Sequence, residues 1–108
     1  MISDGAGGAA RNRTATYPDQ ETAQWATQQV ITRHEQAIHH WLAQSTRQRL
    51  TVDAAWPTRP EPVGRVLLQA MMLAGREPVD VRAARVILRR SATSPHGFTV
   101  HATHPIYL

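Results

Sequence analysis

A chain of 108 residues with 42% hydrophobic side chains holds one domain and one core. Its 12 basic side chains, all arginine, outnumber 8 acidic ones and give a formal charge of +4; the surplus suits an anionic partner, while the missing lysine is also what a GC-rich genome produces. No cysteine is present, which excludes disulfides, thiolate chemistry and a cysteine-ligated zinc site.

Met1-Ile2-Ser3-Asp4 opens no signal peptide, and no run approaches the ~18 apolar residues needed to cross a bilayer. The expectation is a soluble, cytoplasmic monomer as encoded, without membrane contact. Met1 to Thr16, with the run Gly5-Ala6-Gly7-Gly8-Ala9-Ala10, reads as a flexible lead or linker remnant, since it lacks apolar periodicity. Tyr17-Pro18-Asp19 reads as a helix start, with Asp19 as N-cap and Glu21 near the positive end of the dipole. From Gln20 to Gln44, Ala23, Ala26, Val30, Ala37, Ile38 and Trp41 recur at helical spacing, predicting one long amphipathic helix. His34 falls on that apolar stripe as a hydrogen-bonded core histidine. His39 and His40 are adjacent and lack the i, i+4 spacing of a helical metal pair.

Beyond Ser45-Thr46 the period becomes two. Leu50, Val52, Ala54 and Trp56 alternate as in a half-buried strand, which Pro57, Pro60 and Pro62 end. Val63 to Leu68 predicts a second strand, and Gln69 to Leu73 a loop or turn closing at Gly75. Val79 to Arg90 predicts a third strand, with Val86-Ile87-Leu88 suiting a central position. After the turn residues Ser91 to Gly97, Phe98 to His104 predicts a strand antiparallel to it. Helix followed by strands gives an α+β fold. These last two strands bring arginines and histidines together, a pairing suited to holding phosphate and moving protons on RNA.

Five stretches carry a resemblance: Tyr17-Pro18-Asp19-Gln20-Glu21-Thr22-Ala23, Ala37-Ile38-His39-His40-Trp41-Leu42, Pro62-Val63-Gly64-Arg65-Val66-Leu67, Ala84-Arg85-Val86-Ile87-Leu88-Arg89-Arg90 and Gly97-Phe98-Thr99-Val100 running to Pro105. In order and spacing the chain resembles the bacterial RNase A-like toxin domain at the C-termini of contact-dependent growth inhibition proteins and other polymorphic toxins. The resemblance implies an RNase A-like α+β fold over residues 17–108 without disulfides, and RNA cleavage by attack of the ribose 2′-OH without metal or other cofactor. It also implies RNA and a cognate immunity protein as partners, and delivery into a target cell's cytoplasm as part of a larger secreted protein. The family carries an upstream helix supplying a catalytic His and an Arg; here no histidine precedes His34. Where the family has a Thr and a Tyr before the final Pro, this chain has Ala102 and His104.

Period two places Phe98, Val100, Ala102 and His104 on one face and Thr99, His101 and Thr103 on the other. His104 is the candidate catalytic residue. Arg65, Arg89 and Arg90 are candidate substrate ligands; Arg89 and Arg90 point to opposite faces, and Arg65 is either a phosphate ligand or an ion-pair partner of Asp53. No His or acidic residues fall at metal-ligand spacing. The function expected is a metal-independent endoribonuclease toxin domain, incomplete or degenerate at its N-terminal side. The alternative is an inactive module that binds RNA or an immunity partner.

Overall fold

Asp19 caps the first helix as its position suggests. In the computed structural model, which describes residues 13–68 and 73–108, its side chain accepts from the Thr22 amide at 2.7 Å, satisfying one orphan donor of α1, Gln20–Arg33. Hydrogen bonds from the Thr22 backbone amide and then its side chain hold the Asp19 carboxyl below its ordinary range, against a smaller effect of burial.

The single long helix is corrected to two. At His34 the backbone leaves helical geometry (φ −111°, ψ 23°) before α2, Glu35–Gln44. The His34 amide is shared between the Val30 and Ile31 carbonyls, both at 3.2 Å, and its ring Nε2–H donates to the Asp53 carbonyl at 2.6 Å. That side-chain bond is the reason for the break: it ties the junction to a strand edge instead of leaving the ring on a continuous apolar stripe.

The lead is also corrected in part. Residues 1–12 lie outside the described residues, but Arg13–Thr16 form a strand, β1. Its partner, Gly64–Leu68 (β3), pairs with it antiparallel from about fifty residues away, Thr16 opposite Arg65. β3 in turn pairs with Val79–Val81 (β4), completing one three-stranded sheet in the order β1-β3-β4. The second sheet has Arg49–Ala55 (β2), Ala83–Arg90 (β5) and Phe98–Pro105 (β6) in the order β2-β5-β6.

The predicted third strand is thus split at Arg82 and serves both sheets. Arg82 adds one rung to the β2-β5 pairing, its carbonyl accepting from the Trp56 amide at 2.7 Å, while its guanidinium donates to the Arg59 and Pro60 carbonyls at 2.7 and 2.9 Å. The proline-rich turn is thereby fastened where the chain crosses between sheets. Gly64 marks the other crossing. A β-carbon there would lie 2.6 Å from the Thr16 carbonyl oxygen and inside contact distance of the Pro105 ring, so only glycine permits β3 to approach the end of β6 this closely. Gln69 to Met72, the start of the predicted turn, lie outside the described residues; Leu73 is helical rather than part of a loop, and Gly75 follows with a positive φ of 69°.

The core lies between the helices and the second sheet. Ala26, Val30, Ile38 and Trp41 pack on Val52, Ala54, Ala84, Val86 and Leu88. Among the described residues no helix is long and apolar enough to cross a membrane.

Candidate functional site

β6 does not keep strict period two. Leu88 faces Val100 whereas Ile87 faces Ala102, so His101 is an extra residue on β6, a bulge. Residues directly opposite across a ladder project to the same face. Leu88, Val86 and Ala84 are buried beneath the helices, and their partners Val100, Thr103 and Pro105 share that face. Arg89, Ile87 and Arg85 project away from the helices, with Thr99, Ala102 and His104 beside them. The expectation of one face for Phe98, Val100, Ala102 and His104 is therefore corrected. The bulge leaves Phe98 and Val100 toward the helices and sends Ala102 and His104 to the far face.

On that far face the register builds three rows across β2, β5 and β6. The first is Asp53, Arg85 and His104; the second Thr51, Ile87 and Ala102; the third Arg49, Arg89 and Thr99. In the first row Arg85 grips Asp53 with both arms of its fork, Nε to Oδ1 at 2.8 Å and Nη2 to Oδ2 at 3.0 Å. The Asp53 bond pushes the Arg85 pKa up further, against a smaller effect of burial. The half-buried His104 has Nδ1 3.2 Å from the Pro105 carbonyl oxygen, placed to donate to it.

The third row is different in kind. Arg49 and Arg89 are exposed and directly opposite, an arrangement of like charges that destabilises a sheet. Among the described residues neither has an ion-pair partner. An anion laid across the two would turn that repulsion into attraction.

Of the other candidate ligands, Arg90 has its guanidinium bonded to backbone carbonyls of the fold. It projects to the helix face, where Nε donates to the Arg47 carbonyl at 2.8 Å, Nη1 to Leu42 at 3.2 Å, and Nη2 to Trp41 at 2.6 Å and to Ser45. Its guanidinium also stacks 5.1 Å from the Trp41 ring centroid. Those carbonyls at the end of α2 are what an arginine near a helix C-terminus satisfies. Arg65 lies in the first sheet, paired with Asp80 at 3.3 Å; Asp53 is taken by Arg85. The far face thus carries both His104 and Arg89, two rows apart, and leaves Arg65 and Arg90 out.

Sequence reasoning missed Arg49 and Arg85, whose signal was only that both sit on alternating strands at face-sharing positions. It also missed a polar cluster on the helix face, where the Tyr17 hydroxyl lies 2.7 Å and the Thr27 hydroxyl 2.8 Å from Thr103 Oγ1. Burial raises the Tyr17 pKa, with the two threonine bonds opposing; at neutral pH this phenol is a protonated hydrogen-bonding group, not a base. Along the free edge of β6, a groove of about 410 Å³ runs between the helices and the strand, with Glu35, His39 and His96 on its rim. Among the described residues no three His, Cys, Asp or Glu side chains are grouped as metal ligands.

Comparison with known proteins accords with the fold. The family model of the bacterial CdiA-CT RNase A domain matches residues 7–105. Among solved structures, the crystal structure of a CdiA-CT/CdiI complex from Y. kristensenii matches with a TM-score of 0.78 over 89% of this chain and 79% of that one, at 21% identity; the likeness is one of fold. Among curated protein sequences none matches significantly.

Proposed function

We propose that this chain, which belongs to the bacterial CdiA-CT RNase A domain family, cleaves RNA on the far face of its β2-β5-β6 sheet. The observation that carries the reading is the opposed pair Arg49 and Arg89 on the same face as His104. The two arginines hold the phosphodiester backbone. Cleavage follows attack of the ribose 2′-OH on the adjacent phosphorus: the P–O bond to the next nucleotide's 5′ oxygen breaks, a 2′,3′-cyclic phosphate forms, and a 5′-OH leaves. His104 moves one of the two protons this requires, and Arg89, two rows along the same face, anchors the RNA backbone through its phosphates. The reaction uses no metal.

As a toxin domain, the chain acts on RNA in the cell that receives it and is held inactive by an immunity protein, the kind of partner with which the similar Y. kristensenii domain was crystallised. The ladder register sets one histidine on the face among the described residues, His104, and this supports a second outcome. With one histidine in register where two proton transfers occur, the domain is slow by itself, or binds RNA without cutting it.

The test is a gel assay of the purified chain on tRNA and total RNA with EDTA present, beside His104→Ala and Arg89→Ala. Cleavage by the wild type, reduced by at least the ~100-fold that a positioned acid or base contributes when His104 is replaced, supports the reading. Cleavage that persists unchanged in His104→Ala removes that residue from the site, and binding without cleavage leaves the inactive RNA-binding module.

A further inference from the structure

Resting on that reading, we propose that Arg85 is a second phosphate contact, beside His104, and that Asp53 and His34 are the positioning residues that hold it there.

Three observations carry this. First, Arg85 has a spare edge. Asp53 occupies Nε and Nη2, and among the described residues nothing accepts from Nη1. A guanidinium clamped on one edge presents its remaining donors in a fixed plane, which is the form in which arginine recognises a phosphate. Second, Arg85 and His104 are directly opposite across β5 and β6, so their β-carbons are about 5 Å apart on one face. A phosphate meeting Nη1 is then within reach of the imidazole. Third, Asp53 is itself held. β2 is an edge strand, and the register turns the Asp53 and Ala55 carbonyls outward from the sheet. His34 donates to the first at 2.6 Å and Arg33 to the second at 2.7 Å. The break between α1 and α2 thus pins the strand segment that carries the Asp53 carboxylate.

The unit has a cost that makes it testable. The Asp53 charge opposes an approaching phosphate, so its presence sacrifices attraction for orientation. Removing the charge while keeping the shape, Asp53→Asn, therefore tightens RNA binding and slows turnover together. A carboxylate that served folding alone would not move the two in opposite senses.

The experiment measures binding of a 2′-O-methyl RNA oligonucleotide, which cannot be cut, by fluorescence anisotropy over a salt series, and in parallel kcat and KM on the cleavable RNA. Arg85→Gln should flatten the dependence of log affinity on log salt by about 0.7, the contribution of one single-strand phosphate contact. Arg85→Lys should keep the slope and lower kcat about tenfold, because a point charge lacks the fork. Asp53→Asn should lower KM while lowering kcat about tenfold, and His34→Phe should lower kcat in the same direction with the slope unchanged. A wild-type slope in folded Arg85→Gln, or undiminished kcat in Arg85→Lys should the glutamine variant not fold, overturns the phosphate contact. Asp53→Asn with raised KM and unchanged kcat overturns the positioning role. A wild-type chain that binds the oligonucleotide but cuts nothing overturns the nuclease reading alone, and the salt slopes still decide for or against Arg85.

Discussion

Arg90 offers the sharpest separation of a structural from a binding arginine, because its neighbour Arg89 projects to the other face. Truncation to Ala removes guanidinium bonds to four carbonyls: those to Trp41, Leu42 and Ser45, which are partly buried bonds, and that to Arg47, which is an exposed one. Bonds to a charged donor are worth roughly 1.5–3 kcal/mol each where the acceptor is left dry. The end of α2 lies near solvent, so about 1 kcal/mol for each partly buried bond and nothing for that to Arg47 is the fair allowance. Loss of the stack on Trp41 adds about 0.5 kcal/mol. The sum is about 3.5 kcal/mol, a large fraction of the roughly 5–15 kcal/mol that holds a domain together. With an unfolding entropy of about 2.1 cal/mol/K per residue, a chain of 108 residues should lose about 15 °C in Tm. Urea unfolding followed by tryptophan fluorescence measures the free energy, and the salt dependence of RNA affinity measures the charge. Arg90→Ala should melt early yet keep the wild-type salt slope for whatever fraction stays folded. Arg89→Ala should change stability by less than about 0.5 kcal/mol, as surface substitutions do, and lose about 0.7 from the slope. An Arg90→Ala protein within 1 kcal/mol of wild type by the urea measure, with a flattened slope, would refute the capping argument and return Arg90 to the binding surface.

Two further substitutions probe the joints of the fold. Gly64→Ala places a β-carbon against the Thr16 carbonyl oxygen at 2.6 Å and into the Pro105 ring, so β3 must move from both β1 and the end of β6; about 2–3 kcal/mol should be lost, read as a fall of roughly 10 °C in a thermal melt, and a Tm within 2 °C of wild type would show that the sheets separate freely. Tyr17 carries a pH signature: burial raises its pKa above the ordinary 10.0, so the fold favours the neutral phenol. That part of the stability is whole below pH 10.0 and is lost as pH climbs through the raised value. Tyr17→Phe should cost about 1 kcal/mol at neutral pH through the lost Thr103 bond and should show a shallower alkaline decline in Tm; an identical decline in both proteins would assign the alkaline instability elsewhere.

What local pattern can reveal, it revealed: Asp19 as a cap, β2 from the alternation Leu50 to Trp56, β6 from the stretch after Gly97, and the buried stripe of Ala26, Val30, Ile38 and Trp41. What it left out shares one physical cause, a partner distant in sequence. β1 is four residues whose pairing lies on β3. The helix breaks at His34 for a bond to Asp53. Val79 to Arg90 reads as one apolar run, yet Arg82 hands its two halves to different sheets. Arg89 and Arg90 are chemically alike in the sequence, and only the carbonyls at the end of α2 tell them apart.

The site turns on the least legible of these features. Without the bulge at His101, alternation along β6 would set Val100 and His104 on one face, and since Val100 stands opposite the buried Leu88, His104 would point at the helices. One extra residue reverses the strand beyond it. Thr103 then turns inward to the Tyr17 and Thr27 hydroxyls, which satisfy its own, and His104 turns out beside Arg85. The inward hydroxyl cluster and the outward histidine are therefore two halves of one device: hydrogen bonds that hold Thr103 beneath the helices also hold the imidazole on the arginine face. A polar triad on the covered side of a sheet costs desolvation that three aliphatic side chains would not, and its position opposite the reversed segment gives a reason for its presence that packing alone does not.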